Sequence, residues 1–126
     1  MRFAKIVFTV AGVWGLLVLT PLYFMFDMIA QLYPPPITHP DFYYGFLAIT
    51  FAWQVAFLII GRDPIRLRPM MIPAVLEKVF YVLTLAVLYG QGRLELGQLA
   101  PGFPDFVLGS LFVAAFFKTR SATATS

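Results

Sequence analysis

Two apolar segments joined by a short basic loop constrain the fold of this chain more than any other feature. Residues 42–61 and 70–90 are almost entirely apolar, and the loop between them carries Arg62, Arg66 and Arg68 against one acid, Asp63. A helix of about twenty apolar residues matches the hydrocarbon core of a bilayer, and arginines gather in cytoplasmic loops. The pattern predicts a helical hairpin through a membrane.

The composition excludes a water-soluble domain. Of the 126 residues, 60% are hydrophobic and 12% are charged, whereas about 25% are charged in a typical soluble domain. Lipid therefore has to cover most of the surface. The chain contains no cysteine, which excludes disulfides, thiolate metal sites and cysteine nucleophiles.

Residues 6–26 and 104–117 complete the predicted set of spans. The first is longer than a signal-peptide core and lacks a small-residue cleavage site, so we interpret it as a retained helix. The last would be about 21 Å long, short of a core of about 30 Å, so either 100–103 crosses in non-helical form or the bilayer thins. We expect residues 121–126 to be disordered. The predicted fold is an all-α, four-helix transmembrane bundle forming one domain over residues 1–126.

The distribution of basic residues predicts the orientation of this bundle. Under the four-helix topology one side carries Arg2, Lys5, Arg62, Arg66, Arg68, Lys118 and Arg120. Arg93 alone lies on the other side, and Lys78 lies within a span. By the positive-inside rule both termini are cytoplasmic, an N-in and C-in arrangement.

Polar side chains within the spans are the candidate functional residues. On the second span, one helical face carries three of them at spacings of seven and four residues: Tyr43, Thr50 and Gln54. Gln54 lies near the end of one span and Glu77 near the start of the next, so the antiparallel hairpin brings them to the same depth. Tyr81 extends the face of Glu77, and Ser110 lies at a similar depth on the last span. An ionisable residue inside a membrane span indicates function by default. We expect Gln54, Glu77, Tyr81 and Ser110 either to bind a ligand or to join helices by hydrogen bonds.

The other charged residues near the spans have two interpretations each. Lys78 points about 100° away from Glu77 and is expected to extend toward lipid headgroups. The same headgroups would be bound by Arg62, Arg66 and Arg68, although the topology explains these arginines equally well. Asp105 is expected to cap the last helix, or to line an outer-facing entrance together with Asp27.

Several remaining features narrow the function further. Trp14 and Trp53 lie inside spans, where they either pack in the bundle or stack on a flat ligand. Ala11 and Gly15 form a small-residue pair at which another helix can approach closely. His39 lacks the partners that a metal site needs, so we expect no metal and no cofactor. No phosphate loop, nucleophile elbow or nucleic-acid motif is present.

Residues 36–78 and 104–120 resemble small four-helix proteins of bacterial inner membranes, often grouped with DoxX-like proteins. The resemblance implies that location and implies no activity. A weaker similarity is to the EXPERA group of four-helix sterol isomerases and sterol or drug binders. There an acid near the end of the first helix and a Glu and a Gln on the second line a lipophilic pocket. Asp27 and Gln54 match, whereas Thr50 stands in place of the Glu.

Together these features predict a non-enzymatic membrane protein. It would bind a lipid or another lipophilic molecule between its helices, or serve as an accessory subunit of a larger membrane complex. One alternative is an enzyme on a lipid-like substrate with Glu77 as acid or base and Gln54 or Tyr81 orienting it. Another is a small transporter acting as a homo-oligomer. Membrane lipids are the expected partners in every case.

Overall fold

The computed structural model describes residues 2–34 and 36–120. This part of the chain forms helices and turns, without strands. The helices are α1 (Arg2–Leu22), α2 (Phe26–Leu32), α3 (Pro40–Arg62), α4 (Met71–Gly90) and α5 (Gly102–Lys118). Short 3-10 turns at Arg68–Met70 and Leu96–Leu99 precede α4 and α5. The tail 121–126, which we expected to be disordered, lies outside the described residues.

Within the described residues, four stretches are long and apolar enough to cross a membrane, which confirms the predicted all-α class and the number of candidate spans. They are Arg2–Leu22, Pro40–Arg62, Arg68–Gly90 and Leu96–Lys118, each of 21 or 23 residues. Their mean hydropathy lies between 1.6 and 1.9. The last span includes the 3-10 turn, where Glu95 and Gln98 form reciprocal side-chain to backbone bonds. It is therefore longer than the predicted 104–117 segment.

The first connection differs from the predicted loop because it contains α2. α1 ends at Leu22, one residue after Pro21, and a turn follows in which the Phe24 amide donates to the Pro21 carbonyl. α2 then begins at Phe26, with Asp27 in its first turn, where a carboxylate suits the helix dipole. Residues 27–41, expected to be an outer loop, are thus helical over their first part.

The helices form a bundle in which neighbours run in opposite directions. α1 packs mainly against α3 and also against α5, and α5 packs against α4. At one end the Lys118 ammonium lies 4.1 Å from the centre of the Phe3 ring, which brings the start of α1 beside the end of α5. The loop from α3 to α4 lies at this same end. We call it the basic end, and its basic residues are Arg2, Lys5, Arg62, Arg66, Arg68, Lys118 and Arg120.

Three aromatic rings form the centre of the core in the half of the bundle near the basic end. Phe8, Phe57 and Phe112 are fully buried, one each from α1, α3 and α5. The Phe8 and Phe112 rings stack at 4.3 Å between centroids, and Phe57 meets Phe112 edge-on at 5.0 Å. Buried rings contribute large packing areas and prefer such offset or edge-on geometries. The remaining core residues are Ala4, Val7, Ala11, Ile60, Met71, Ala74 and Ala115.

Small residues on α1 allow α3 to approach closely, as the Ala11 and Gly15 pair predicted. A Cβ atom added at Gly12 would lie 2.8 Å from the Gln54 carbonyl oxygen, which belongs to the backbone of α3. One added at Gly15 would overlap the Gln54 side chain. Glycine at these positions therefore sets the distance between α1 and α3 and makes room for Gln54.

We predict that Gly12→Ala lowers the stability of the bundle. The added methyl group would collide with backbone and force the helices apart, and overpacking of this kind costs about 1–3 kcal/mol. Gly45→Ala on α3 is the matched control, because a Cβ there meets nothing within 4 Å. Thermal unfolding in detergent, followed by circular dichroism, should show a lower midpoint for Gly12→Ala only. Equal midpoints for the two variants would contradict the close approach.

Candidate functional site

A cavity of about 430 Å³ lies in the half of the bundle away from the basic end. Its lining comes from residues 14–22 of α1, 43–54 of α3, 77–81 of α4 and 101–105 at the start of α5, together with Ile29 of α2. The apolar walls are formed by Trp14, Val18, Leu19, Leu22, Ile29, Phe46, Pro101 and Pro104. Small-molecule sites commonly have volumes of about 300–1,000 Å³ and similarly apolar walls.

The polar face predicted for α3 lines this cavity. Tyr43, Thr50 and Gln54 all contribute to the lining. The Tyr43 hydroxyl donates to the Leu22 carbonyl at 2.6 Å and so caps the end of α1. The Gln54 amide nitrogen donates to the Thr50 carbonyl at 2.9 Å. Its Oε1 atom is buried and has no hydrogen-bond partner among the described residues.

Lys78 lies between two carboxylates at the edge of the cavity. Its Nζ atom is 3.1 Å from Asp105 Oδ1 and 3.4 Å from Glu77 Oε2, and its side chain is only 5% exposed. The prediction that Lys78 extends to lipid headgroups is therefore wrong. The reason lies on α5, where Gly109 leaves space for the lysine stem: a Cβ at Gly109 would be 3.1 Å from Lys78 Cβ. We call Glu77, Lys78 and Asp105 the acid–base cluster.

Asp105 belongs to this cluster and makes no capping bond. α5 begins at Gly102 without a side-chain hydrogen bond to its first turn, and the Asp105 carboxylate accepts from Lys78 instead. A carboxylate in the first turn of a helix is favoured by the dipole without capping it. The alternative, an outer-facing entrance lined by both Asp105 and Asp27, is not formed, because only Asp105 lines the cavity. Asp27 is exposed on α2 and does not share that lining.

Glu77 is the less completely paired of the two acids. Its Oε2 atom forms the ion pair with Lys78 but no hydrogen bond, and it is buried without another partner in the described part of the chain. Neighbouring residues on a helix do not face each other, so the ammonium cannot align well with this carboxylate. Glu77 therefore lines the cavity with a carboxylate whose hydrogen-bonding capacity is not fully used.

The structure brings together most of the predicted site residues but not all of them. Gln54, Glu77 and Tyr81 line one cavity. Ser110 lines a separate groove of about 230 Å³ on the other side of Lys78 and Asp105, and its hydroxyl donates to the Phe106 carbonyl. Of the two tryptophans, Trp14 lines the main cavity, whereas Trp53 packs on Phe57 with 6.3 Å between ring centres.

The arginines predicted to bind headgroups divide into two kinds. Arg62 and Arg66 are exposed at the basic end, so their headgroup contacts stay a prediction. The Arg68 guanidinium instead donates twice to the Phe116 carbonyl, at 2.8 and 3.0 Å, and once to the Thr119 hydroxyl. It thus satisfies the end of α5, where carbonyls lack helical partners, and links the loop before α4 to α5.

No group of three or more His, Asp or Glu side chains that could hold a metal ion occurs within residues 2–34 and 36–120. Comparisons with protein-family models, curated proteins and solved structures found no match to this chain. The resemblance to DoxX-like and EXPERA proteins therefore stays a prediction. Over the described residues, the architecture is all-helical, with four helices long and apolar enough to cross a membrane and a cavity between them.

We predict that Lys78→Met strongly destabilises the bundle and that adding Asp105→Asn restores part of the loss. The single substitution leaves two partly buried carboxylates without a cation, and breaking a fully buried ion pair costs about 3–5 kcal/mol, which is an upper bound here. The second substitution removes one of those charges. Thermal unfolding in detergent measures both variants. A double variant no more stable than Lys78→Met would mean that the pair does not hold α4 and α5 together.

Proposed function

We propose that this protein resides in the bacterial inner membrane and binds a lipophilic molecule in the cavity between its helices. The observation that carries the proposal is the cavity itself, with apolar walls and a few convergent polar groups at mid-span. Apolar walls bind an apolar molecule through many van der Waals contacts, which are individually weak and collectively large. The polar groups would orient such a molecule, as they do in small-molecule sites generally.

The separation of core and cavity along the helices supports this proposal. On α1 the core residues run from Ala4 to Ala11, and the cavity lining begins at Trp14. On α5 the core lies at Phe112 and Ala115, and the cavity lining at 101–105. One half of the bundle is therefore well packed without a ligand, and the other half has room for one.

The proposed orientation places the basic end in the cytoplasm. Seven basic residues lie at that end, with Asp63 in the same loop. Arg93 is the basic residue in the connection between α4 and α5, at the opposite end. Basic residues close to membrane spans are retained in the cytoplasm. The cavity would then lie in the half of the membrane away from the cytoplasm.

We predict that filling the cavity displaces a co-purified ligand. Thr50→Trp would place a bulky ring into the space, whereas Ile49→Trp, one residue away, points outward from a position that is 65% exposed. Native mass spectrometry after mild detergent extraction should show an adduct on the wild type and on Ile49→Trp, and little on Thr50→Trp. An adduct that survives Thr50→Trp unchanged, or a wild type without any adduct, would contradict the proposal.

Single cysteines would test the orientation, because the natural chain has none. Arg66→Cys marks the basic end and Gln91→Cys marks the opposite end, and both positions are exposed. In intact bacterial cells, a membrane-impermeant maleimide should label Gln91→Cys and leave Arg66→Cys unlabelled until the cells are lysed. The reverse labelling pattern would invert the proposed orientation.

A further inference from the structure

The charged groups that line the cavity do not balance. Glu77 and Asp105 supply two acids, and Lys78 supplies one base. The other polar lining residues described are uncharged: Tyr43, Thr50, Gln54 and Tyr81. With all three ionised, the acid–base cluster carries a formal charge of −1. A charge within a membrane span is costly unless a partner compensates it, so the cavity lining is one positive charge short of neutrality.

Two buried acceptors on cavity-lining residues also lack a hydrogen-bond partner. Gln54 is 1% exposed, and its Oε1 atom accepts no bond from any residue that the structure describes. Glu77 Oε2 likewise accepts no hydrogen bond from the described residues, although it forms an ion pair with Lys78. The Gln54 amide is used by the Thr50 carbonyl, and Lys78 donates to Asp105. Two buried acceptors, both on residues that line the cavity, are thus left without a hydrogen-bond donor in the described part of the chain.

We propose that the molecule held in the cavity carries a protonated amine at one end of an apolar body. This inference rests on the proposed function and specifies its ligand. An ammonium group supplies both missing elements, since it brings one positive charge and up to three N–H donors. Those donors would bind Gln54 Oε1 and Glu77 Oε2. Charge-assisted hydrogen bonds of this kind are about twice as strong as neutral ones.

The walls of the cavity suit the same kind of molecule. Trp14, Phe46 and Tyr81 line it together with aliphatic residues of α1. Aromatic faces attract cations, and aliphatic walls accommodate a hydrocarbon body. A neutral alcohol would supply a donor but no charge, and a carboxylate would add a second unbalanced negative charge. The three head groups are therefore ranked, with the amine first and the carboxylate last.

Matched probes test this ranking. The full-length protein in nanodiscs of zwitterionic lipid would be titrated at pH 7 with tritiated decylamine, decanol and decanoate, with binding to empty nanodiscs subtracted. We expect decylamine to bind at least about tenfold more tightly than decanol, a difference of about 1.4 kcal/mol, and decanoate to bind most weakly. Equal affinities for decylamine and decanol would overturn the inference. This result is expected if Glu77 or Asp105 is protonated, because the acid–base cluster is then neutral and does not favour a cation.

Substitution of Glu77 tests whether its carboxylate causes the preference for decylamine over decanol. Glu77→Gln should abolish the preference for decylamine while decanol binding persists, because the variant removes the unbalanced charge and leaves the space. Asp41→Asn is the control, since Asp41 is exposed at the start of α3 and lies outside the cavity lining. A preference that survives Glu77→Gln would overturn the inference.

The same experiments separate the inference from the proposed function. If decanol and decylamine bind equally and Thr50→Trp blocks both, the cavity binds lipophilic molecules and only the amine specificity is wrong. If no probe binds the wild type and no adduct is found, the proposed function fails and the inference with it. If Glu77→Gln does not fold, as judged by circular dichroism, the ranking of the three probes on the wild type decides alone.

Discussion

Close packing in one half of the bundle determines what the other half can be. Phe8, Phe57 and Phe112 bring α1, α3 and α5 together near the basic end, and Gly12 lets α1 lie against the backbone of α3. Within a membrane no hydrophobic effect drives helices together, so packing and small residues supply the association. Protein side chains alone fill this half of the bundle. The helices can therefore stay associated although a cavity lies between them in the other half.

The acid–base cluster lies at the boundary between these two halves. Asp105 provides the partner without which the buried ammonium of Lys78 would be very costly. Glu77 adds a second carboxylate that this single cation does not fully satisfy. A polar arrangement built only to join α4 and α5 would need one acid. The second acid lines the same cavity as Gln54 and gives the site a chemical character that its apolar walls do not have.

Residues whose positions follow from helical geometry were predicted well. Tyr43, Thr50 and Gln54 share a face because of their spacing, and Glu77 reaches the depth of Gln54 because both lie on one antiparallel hairpin. Lys78 was predicted wrongly because its direction depends on Gly109, a residue of another helix. Ser110 was predicted to have the right depth, but the rotation of α5 about its own axis directs it to a different groove.

The amino-acid sequence by itself determined that the chain is helical, that four segments are fit to cross a membrane and that the basic residues gather at one end. These properties depend on composition and on distances along the chain, because a bilayer accepts only backbone whose hydrogen bonds are satisfied within the segment. The tertiary structure alone decided that Lys78 is buried against Asp105, that Arg68 holds the end of α5 and that a cavity forms beside Gln54. Those outcomes depend on contacts between residues far apart in the chain, which no local pattern encodes.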